Sequence, residues 1–283
     1  MTVVENIYIQ KMKNNESKRD KIVNKILYWL NCIRFSLKIK RFGNQEPNIN
    51  KMKLVFSDEF SEFDNTKWRI GQPWGKFHPD YAYQYYGNNA VSVKDNSLEL
   101  HQFYSPKELQ FGDNPKVYNI PQSVGLVTSI DSFGYGFYRI ECRLPKGIGL
   151  WPAVWLSCAT SWPPEIDILE AYSNESGGWG KDLQSNFHYD FDQNKKQSGA
   201  RNHPVVSTDD KLVVGCHFTK DFIKIYYNGY LVRQITSDDI LKFFRDKKMI
   251  IILNNAIRAE YKDKLELINQ KSEFLIYNVS YYE

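Results

Sequence analysis

The sequence predicts an all-β fold, a sandwich of antiparallel sheets preceded by a basic helical extension. From Lys53 onward, short runs rich in Val, Ile, Phe and Tyr recur between clusters of Gly, Pro, Asn and Asp, the spacing of half-buried strands joined by turns. Two of these runs close as hairpins: VSVKDNSLELHQF (Val91 to Phe103) through Asp95 and Asn96, and KIYYNGYLVRQI (Lys224 to Ile235) through Asn228 and Gly229. These residue types accept the backbone of a two-residue turn. In a third run, SWPPEIDILEAY (Ser161 to Tyr172), Ile166, Ile168 and Leu169 mark a buried strand that also carries Glu165, Asp167 and Glu170.

Residues 1–50 read as a basic extension and linker. From Asp20 to Phe42, Ile22, Ile26, Trp29, Leu30, Ile33 and Leu37 keep helical spacing, with Lys21, Lys25, Arg34 and Lys38 among them. Such an amphipathic helix suits an anionic membrane surface, a protein partner or the face of the following domain, and residues 20–42 are the candidate contact. A solvated extension is the alternative. The longest apolar run there, Ile26 to Leu30, is far short of the roughly 18 residues that cross a bilayer. Asn31 and Arg34 interrupt the apolar core a signal peptide needs, and KIKRFGNQEP offers no small-residue cleavage site. No transmembrane helix and no clear signal peptide are expected, and localisation stays open. GNQEPNIN (Gly43 to Asn50) has linker composition, so one domain is expected over residues 53–283, with residues 1–50 dispensable.

Within the domain, two stretches resist a strand reading. Gly71 to Gly87, GQPWGKFHPDYAYQYYG, is either a loop covering a sheet edge or an aromatic wall of a binding cleft built from Trp74, Tyr81, Tyr83 and Tyr85. Phe103 to Pro121, with Pro106, Gly112, Pro115 and Pro121, reads as a loop.

The acid-bearing strand is the chemical centre. Residues i and i+2 share a face, so Glu165 and Asp167 lie together while Ile166 and Ile168 turn to the core. Glu170 has the wrong parity, and one extra residue near Ile168 and Leu169 restores it to the acidic face. Like charges held this close raise at least one pKa. Glycoside hydrolysis needs that inequality, one carboxylate ionised and one protonated, with about 5–5.5 Å between them in retaining enzymes. Along the strand the two Glu stand roughly 13 Å apart, a gap the bulge and inward-leaning side chains must narrow. The same three acids also suit a hard cation, and a solvated acidic strand face is the blandest alternative.

In WPAVW, Trp151, Ala153 and Trp155 face one way, a floor on which pyranose rings can stack. Trp162, three residues before Glu165, is a further candidate for substrate contact, as is Trp74. His78, His101, His203 and His217 lack partners at metal-site spacing, so no catalytic zinc is expected. Cys32, Cys142, Cys158 and Cys216 show no CxxC pairing and read as buried thiols. Cys142 and Cys158, in or beside the strands flanking the acids, leave one bridge open.

EIDILE, preceded by GIGLWPAVWLS (Gly147 to Ser157), resembles the signature of the family 16 glycoside hydrolases, the laminarinase-like group with a bulged motif. LVFSDEF (Leu54 to Phe60) with DNTKW (Asp64 to Trp68), SFGYGFYRIECRLPKG (Ser132 to Gly147), IILNNA (Ile251 to Ala256) and IYNVSYYE (Ile276 to Glu283) resemble other strands of that family. The resemblance implies a jelly-roll sandwich with a concave substrate cleft and a retaining double displacement. Glu165 is then the nucleophile, Glu170 the acid/base with the higher pKa, and Asp167 the group between them that steers the nucleophile. His188, in NFHYD, resembles the histidine on the neighbouring strand that grips sugar or sets the protonation of Glu170. Many relatives bind a structural calcium through an Asp of the closing strand. Here Tyr277 takes that place, so no cofactor is expected. After ILNNA, Ile257, Arg258 and Ala259 replace the glycines common in the family.

The implied activity is endo-hydrolysis of internal β-glycosidic bonds, first of β-1,3-glucan. Agar- or carrageenan-type β-galactan hydrolases share the motif, capture of the retaining intermediate by a sugar hydroxyl would make the enzyme a transglycosylase, and a non-catalytic lectin-like protein could use the same sandwich. Composition agrees with a carbohydrate partner: aromatic residues make up 15% of the chain, 19 of them Tyr and 7 Trp, well suited to stacking on sugar rings. Residues 1–52 hold 11 Lys and Arg against 4 Asp and Glu, leaving 26 against 29 in the remainder. That slightly acidic body argues against nucleic acid. A monomer is expected.

Overall fold

Alternation of apolar and polar residues turns most of the chain from Leu54 onward into strands. The computed structural model of the chain describes residues 44–173, 183–189, 196–197, 201–203, 211–268 and 272–283, with Ile26, Leu30, Ile33 and Leu37 of the N-terminal segment. In chain order the strands are β1 (Leu54–Asp58), β2 (Trp68–Ile70), β3 (Gln84–Tyr86), β4 (Val91–Lys94), β5 (Ser97–Gln110), β6 (Val117–Val124), β7 (Leu126–Ser129), β8 (Gly136–Arg143) and β9 (Leu150–Cys158). They continue with β10 (Glu165–Ala171), β11 (Leu183–Tyr189), β12 (Lys196–Gln197), β13 (Arg201–His203), β14 (Leu212–Phe218), β15 (Ile223–Tyr227), β16 (Tyr230–Ile235), β17 (Met249–Ile257) and β18 (Ser272–Tyr282).

Among the described residues, one sheet runs β16-β15-β14-β8-β18-β5-β6-β3, with β1 against β18 and β4 against β5. The other runs β12-β11-β10-β9-β17-β7-β2, with β13 against β11. The pairings are antiparallel except β3 with β6, which is parallel. Alternate residues such as Leu98, Leu100, Ile140 and Ile276 from the first sheet and Val154, Leu156, Ile166 and Leu253 from the second share one buried core. Each fully buried aliphatic side chain contributes about 1.5–3 kcal/mol. The central strand β17 is buried on both faces: Ile251 and Leu253 join that core, while Ile250 and Ile252 pack with Leu126 against Trp155 on the other side. Both expected hairpin turns form, with positive φ at Asp95 and Asn96 and at Asn228 and Gly229, as two-residue turns of the primed type require.

The two stretches without strand pattern brace each other. The hairpin β5–β6 continues as a two-stranded arm through the segment expected as a loop. Its register shifts between Tyr104 and Lys107, so Pro106 sits where the ladder is already broken, a position a proline tolerates. Leu109, Phe111 and Tyr118 of the arm close on Phe77, Ala82, Tyr85 and Ile120 in a second small core. The Phe77 ring meets Phe111 edge-on at 5.7 Å and Tyr118 at 5.3 Å. The aromatic stretch thus covers a sheet edge through β3, and Tyr83 and Gln84 also tie it to the end of β17. The Tyr83 hydroxyl donates to the Ile257 carbonyl at 3.3 Å, and Gln84 Oε1 accepts from Ile257 N–H at 2.8 Å.

The N-terminal helix expected over Asp20–Phe42 lies outside the described residues except for Ile26, Leu30, Ile33 and Leu37, which are helical and exposed. No helix among the described residues is long and apolar enough to cross a membrane. Part of the segment with linker composition is docked on the domain. Gln45 N–H donates to the Gly229 carbonyl at 2.7 Å, Gln45 Oε1 accepts from Leu231 N–H at 3.0 Å, and Glu46 lies 3.6 Å from the Arg139 guanidinium. Cys142, Cys158 and Cys216 are buried free thiols, so the bridge left open between Cys142 and Cys158 does not form, and Cys32 lies outside the described residues. Tyr277 offers no carboxylate to a hard cation, and Lys211 Nζ stands 5.5 Å from its ring. The residues at that position therefore do not fit a calcium ion.

Docking of Gln45 and Glu46 has a measurable consequence. A chain beginning at Met52 loses these contacts and is expected to melt about 2–6 °C below one beginning at Asn44. Equal midpoints in a thermal melt would show that residues 44–51 add nothing to the domain.

Candidate active site

The acidic face is created by one residue. On β9, Asp167 pairs with Trp155, Leu169 with Val154 and Glu170 with Ala153; on β11, Asp167 pairs with Asn186 and Glu170 with Gln184. The extra residue is Ile168. Ile168 and Leu169 both point into the core, fully buried, and Glu170 returns to the side of Glu165 and Asp167. A bulge frees backbone groups from the ladder, and burying them unpaired is costly. Here the fully buried Tyr227, reaching across from β15, donates its hydroxyl to the Ile168 carbonyl at 2.8 Å and lies 3.1 Å from the Gln184 carbonyl. Arg233 from β16 donates to the Ser185 carbonyl and lies over the Phe187 ring at 4.7 Å. The opposite sheet thus supplies polar support beneath the acids.

Each Glu is held by an indole. The turn between β9 and β10 closes through Cys158 N–H to the Pro164 carbonyl at 3.0 Å and carries Trp162, whose Nε1–H donates to Glu165 Oε2 at 2.8 Å. The other oxygen, Oε1, lies 3.4 Å from His188 Nε2, and the same nitrogen is 3.2 Å from Asp167 Oδ2 and 3.2 Å from the Asn186 amide. Among the described residues Glu170 accepts at a single oxygen: Trp151 Nε1–H donates to Oε1 at 3.1 Å and the Tyr172 hydroxyl to the same atom at 2.9 Å. Burial raises the pKa of all three acids. For Glu165 the Asp167 charge adds to it, against the pull of His188 and of the Trp162 hydrogen bond. For Asp167 the Glu170 charge adds, opposed by its hydrogen bond with Glu165 and by the Arg233 cation. For Glu170 the donors Tyr172 and Trp151 oppose burial. The upward pressure therefore falls on the whole row, and more strongly on Glu165 and Asp167 than on Glu170, which was expected to have the higher pKa.

The structure brings together Glu165, Asp167, Glu170, Trp151, Trp162 and His188. Trp155 shares the face of Trp151 and joins the floor beside them, its Nε1–H donating to Asn254 Oδ1 at 2.8 Å while the Asn254 amide donates to the Trp151 carbonyl at 3.3 Å. Trp74 is exposed in the Gln72–Gly75 turn, and among the described residues it makes no hydrogen bond or ring contact with the acidic row. Tyr172, Asn186, Asn254, Tyr227 and Arg233 escaped the sequence reading. The first two carried a usable signal, since Tyr172 follows Glu170 by two residues and Asn186 precedes His188 by two, parities that share a strand face.

Among the described residues two groups of side chains have metal-ligand chemistry: Glu165, Asp167 and His188 in the site, and Glu99, His101 and Glu273 on the opposite sheet. In the second, partners from β18 supply what sequence spacing did not show. His101 Nε2 is 2.8 Å from Ser92 Oγ and 3.2 Å from Glu99 Oε2, so the imidazole already has an internal partner set.

An acid whose folded pKa lies above its unfolded value binds more protons when folded, so its contribution to stability falls as pH rises from about 4 through the folded pKa. Asp167→Asn is expected to melt higher than the wild type at pH 8 and to narrow the gap near pH 4. Parallel melting curves across that range would show that Asp167 carries no such cost.

The sequence profile described as glycosyl hydrolases family 16 matches residues 78–264. Over 215 residues the chain is 26% identical to the glucan endo-1,3-β-glucosidase A1 of Niallia circulans, covering 68% of this chain and 30% of that protein. Over 128 residues it is 27% identical to the galactan endo-β-1,3-galactanase of Flammulina velutipes, covering 44% and 51%. The chain thus spans about half or less of the length of these relatives. The catalytic domain of an endo-1,3-β-glucanase (laminarinase) from Thermotoga petrophila RKU-1 superposes with a TM-score of 0.65 at 22% identity, covering 82% of this chain and 98% of that one, a likeness of fold. With the profile matched over most of the domain and the bulged acidic strand inside the match, the chain belongs to family 16 of the glycosyl hydrolases.

Proposed function

We propose that the chain is a retaining endo-β-glycanase that hydrolyses internal bonds of β-1,3-glucan, with Glu165 as nucleophile and Glu170 as acid/base. The observation that carries this reading is the unequal holding of two glutamates on one face: Glu165 is engaged at both oxygens, Glu170 at Oε1 alone.

Glu165 and Asp167 lie close enough to share a proton, and such a pair titrates as a unit. The Trp162 indole donates to Glu165, and the His188 imidazole lies against both carboxyls, 3.4 Å from Glu165 Oε1 and 3.2 Å from Asp167 Oδ2. The proposed mechanism needs the shared proton on Asp167, so that Glu165 is ionised. In the first step Glu165 attacks the anomeric carbon while the proton on Glu170 passes to the leaving oxygen, and the glycosidic C–O bond breaks. In the second, Glu170 takes a proton from water, the water oxygen bonds to the anomeric carbon, and Glu165 departs as carboxylate. Trp151, Trp155 and Trp162 offer aromatic surface for the sugar rings.

The Niallia circulans relative supports a glucan substrate, and the Flammulina velutipes relative supports a galactan as the second reading. Reducing-end release from laminarin, mixed-linkage glucan, agar and carrageenan is expected to be fastest with laminarin. Release from agar or carrageenan alone would establish the galactan reading, and binding without release from any of them would make the protein a lectin.

The division of labour has its own test. Glu165→Ala with azide is expected to yield an α-glycosyl azide, because azide replaces the missing nucleophile in a single inversion. Glu170→Ala, given a substrate with a good leaving group, is expected to form the glycosyl-enzyme and release a β-glycosyl azide after two inversions. Swapped products, read by NMR of the anomeric proton, would reverse the two roles.

A further inference from the structure

Tyr172 is absorbed neither by the acidic motif nor by the aromatic floor, yet it is tied down from several directions. Its ring stacks on Trp151 at 5.5 Å and 25°, and the Arg258 guanidinium lies 5.6 Å from its centroid. The next residue, Ser173, is fully buried. Ser173 N–H donates to the Leu150 carbonyl at 3.1 Å and its Oγ accepts from Leu150 N–H at 2.7 Å. Arg258 donates through Nη1 to the Ser173 carbonyl and through Nη2 to Glu260 at 3.2 Å. Both terminal nitrogens thus bond to the protein, which holds the guanidinium beside the Tyr172 ring.

Two donors, Trp151 on β9 and Tyr172 just past the end of β10, converge on Glu170 Oε1. An oxygen that accepts two hydrogen bonds is a poor seat for a proton, and a carboxylic acid has only one other oxygen. We propose that Tyr172, braced by Arg258, is a positioning residue that confines the catalytic proton of Glu170 to Oε2 and fixes the plane in which it is delivered. The inference rests on the role of Glu170 as acid/base proposed above. Other titratable or charged groups bear on Glu170: Asp167 and Glu165 of its own strand, His188 from β11, Tyr227 and Arg233 from the opposite sheet, and Tyr81 from the aromatic stretch. Among the described residues none of these donates a hydrogen bond to Oε1, so removal of the Tyr172 hydroxyl is not made good by a neighbour already in place.

Tyr172→Phe keeps the stacked ring and removes only the donor. The hydrogen bond favours ionised Glu170, so its loss should move the basic limb of the kcat/KM profile on polysaccharide to higher pH. Turnover of the polysaccharide, whose leaving group needs the proton, should fall about 10- to 100-fold. Turnover of an aryl glycoside that needs no proton should fall much less in the glycosylation step. Arg258→Lys, a milder change, should show the same leaving-group dependence at smaller amplitude. An active wild type with an unshifted limb and equal losses on both substrates in the two variants would overturn this inference and leave the glycosidase reading intact. A wild type inactive on every polymer and aryl glycoside would overturn both.

Discussion

Inserting Ile168 into β10 turns two successive hydrophobic side chains into the core and throws Glu170 onto the face of Glu165 and Asp167. The place of Glu170 in the cleft follows from that step, because a strand has a period of two and an odd insertion exchanges its faces. Such a bulge persists only if the backbone groups it frees are satisfied. The Tyr227 hydroxyl at the Ile168 carbonyl meets that requirement, with Arg233 at the neighbouring Ser185 carbonyl. Both side chains come from the opposite sheet, so the sandwich packs as it does partly to support the catalytic strand.

Three buried acids on one face oppose folding, and the surroundings offset the cost unequally. Glu165 meets an indole and an imidazole, Glu170 an indole and a phenol, and Asp167 Oδ2 the same imidazole at 3.2 Å. The inequality between the two glutamates therefore arises less from how deeply each is buried than from which donors reach it and at which oxygen. Stability surrendered at such a site is the usual companion of function.

One side of the site is joined to a part of the molecule remote in sequence. The β5–β6 arm and the aromatic stretch form their own small core, and Tyr83 and Gln84 link that core to Ile257 at the end of β17. Arg258, one residue on, reaches Ser173 at the end of β10. This continuous set of contacts runs from the edge of one sheet to the acid/base end of the other.

The sequence alone determined the sandwich, both hairpins, the family and the need for a bulge at Ile168 and Leu169, because each rests on local periodicity, turn chemistry or a contiguous motif. It also placed Trp151 and Trp155 on a common face, since parity is a local property. The β5–β6 arm escaped it because Pro106, Pro115 and Pro121 mimic loop composition, and only the register shift opposite the break shows how a strand accommodates them. The role of Gln45 and Glu46, the support from Tyr227 and Arg233, and the convergence of Trp151 and Tyr172 on one oxygen of Glu170 were decided by tertiary structure. Those contacts join residues from different strands, and which donor meets which oxygen depends on how two sheets twist and pack, information that no stretch of neighbouring residues contains.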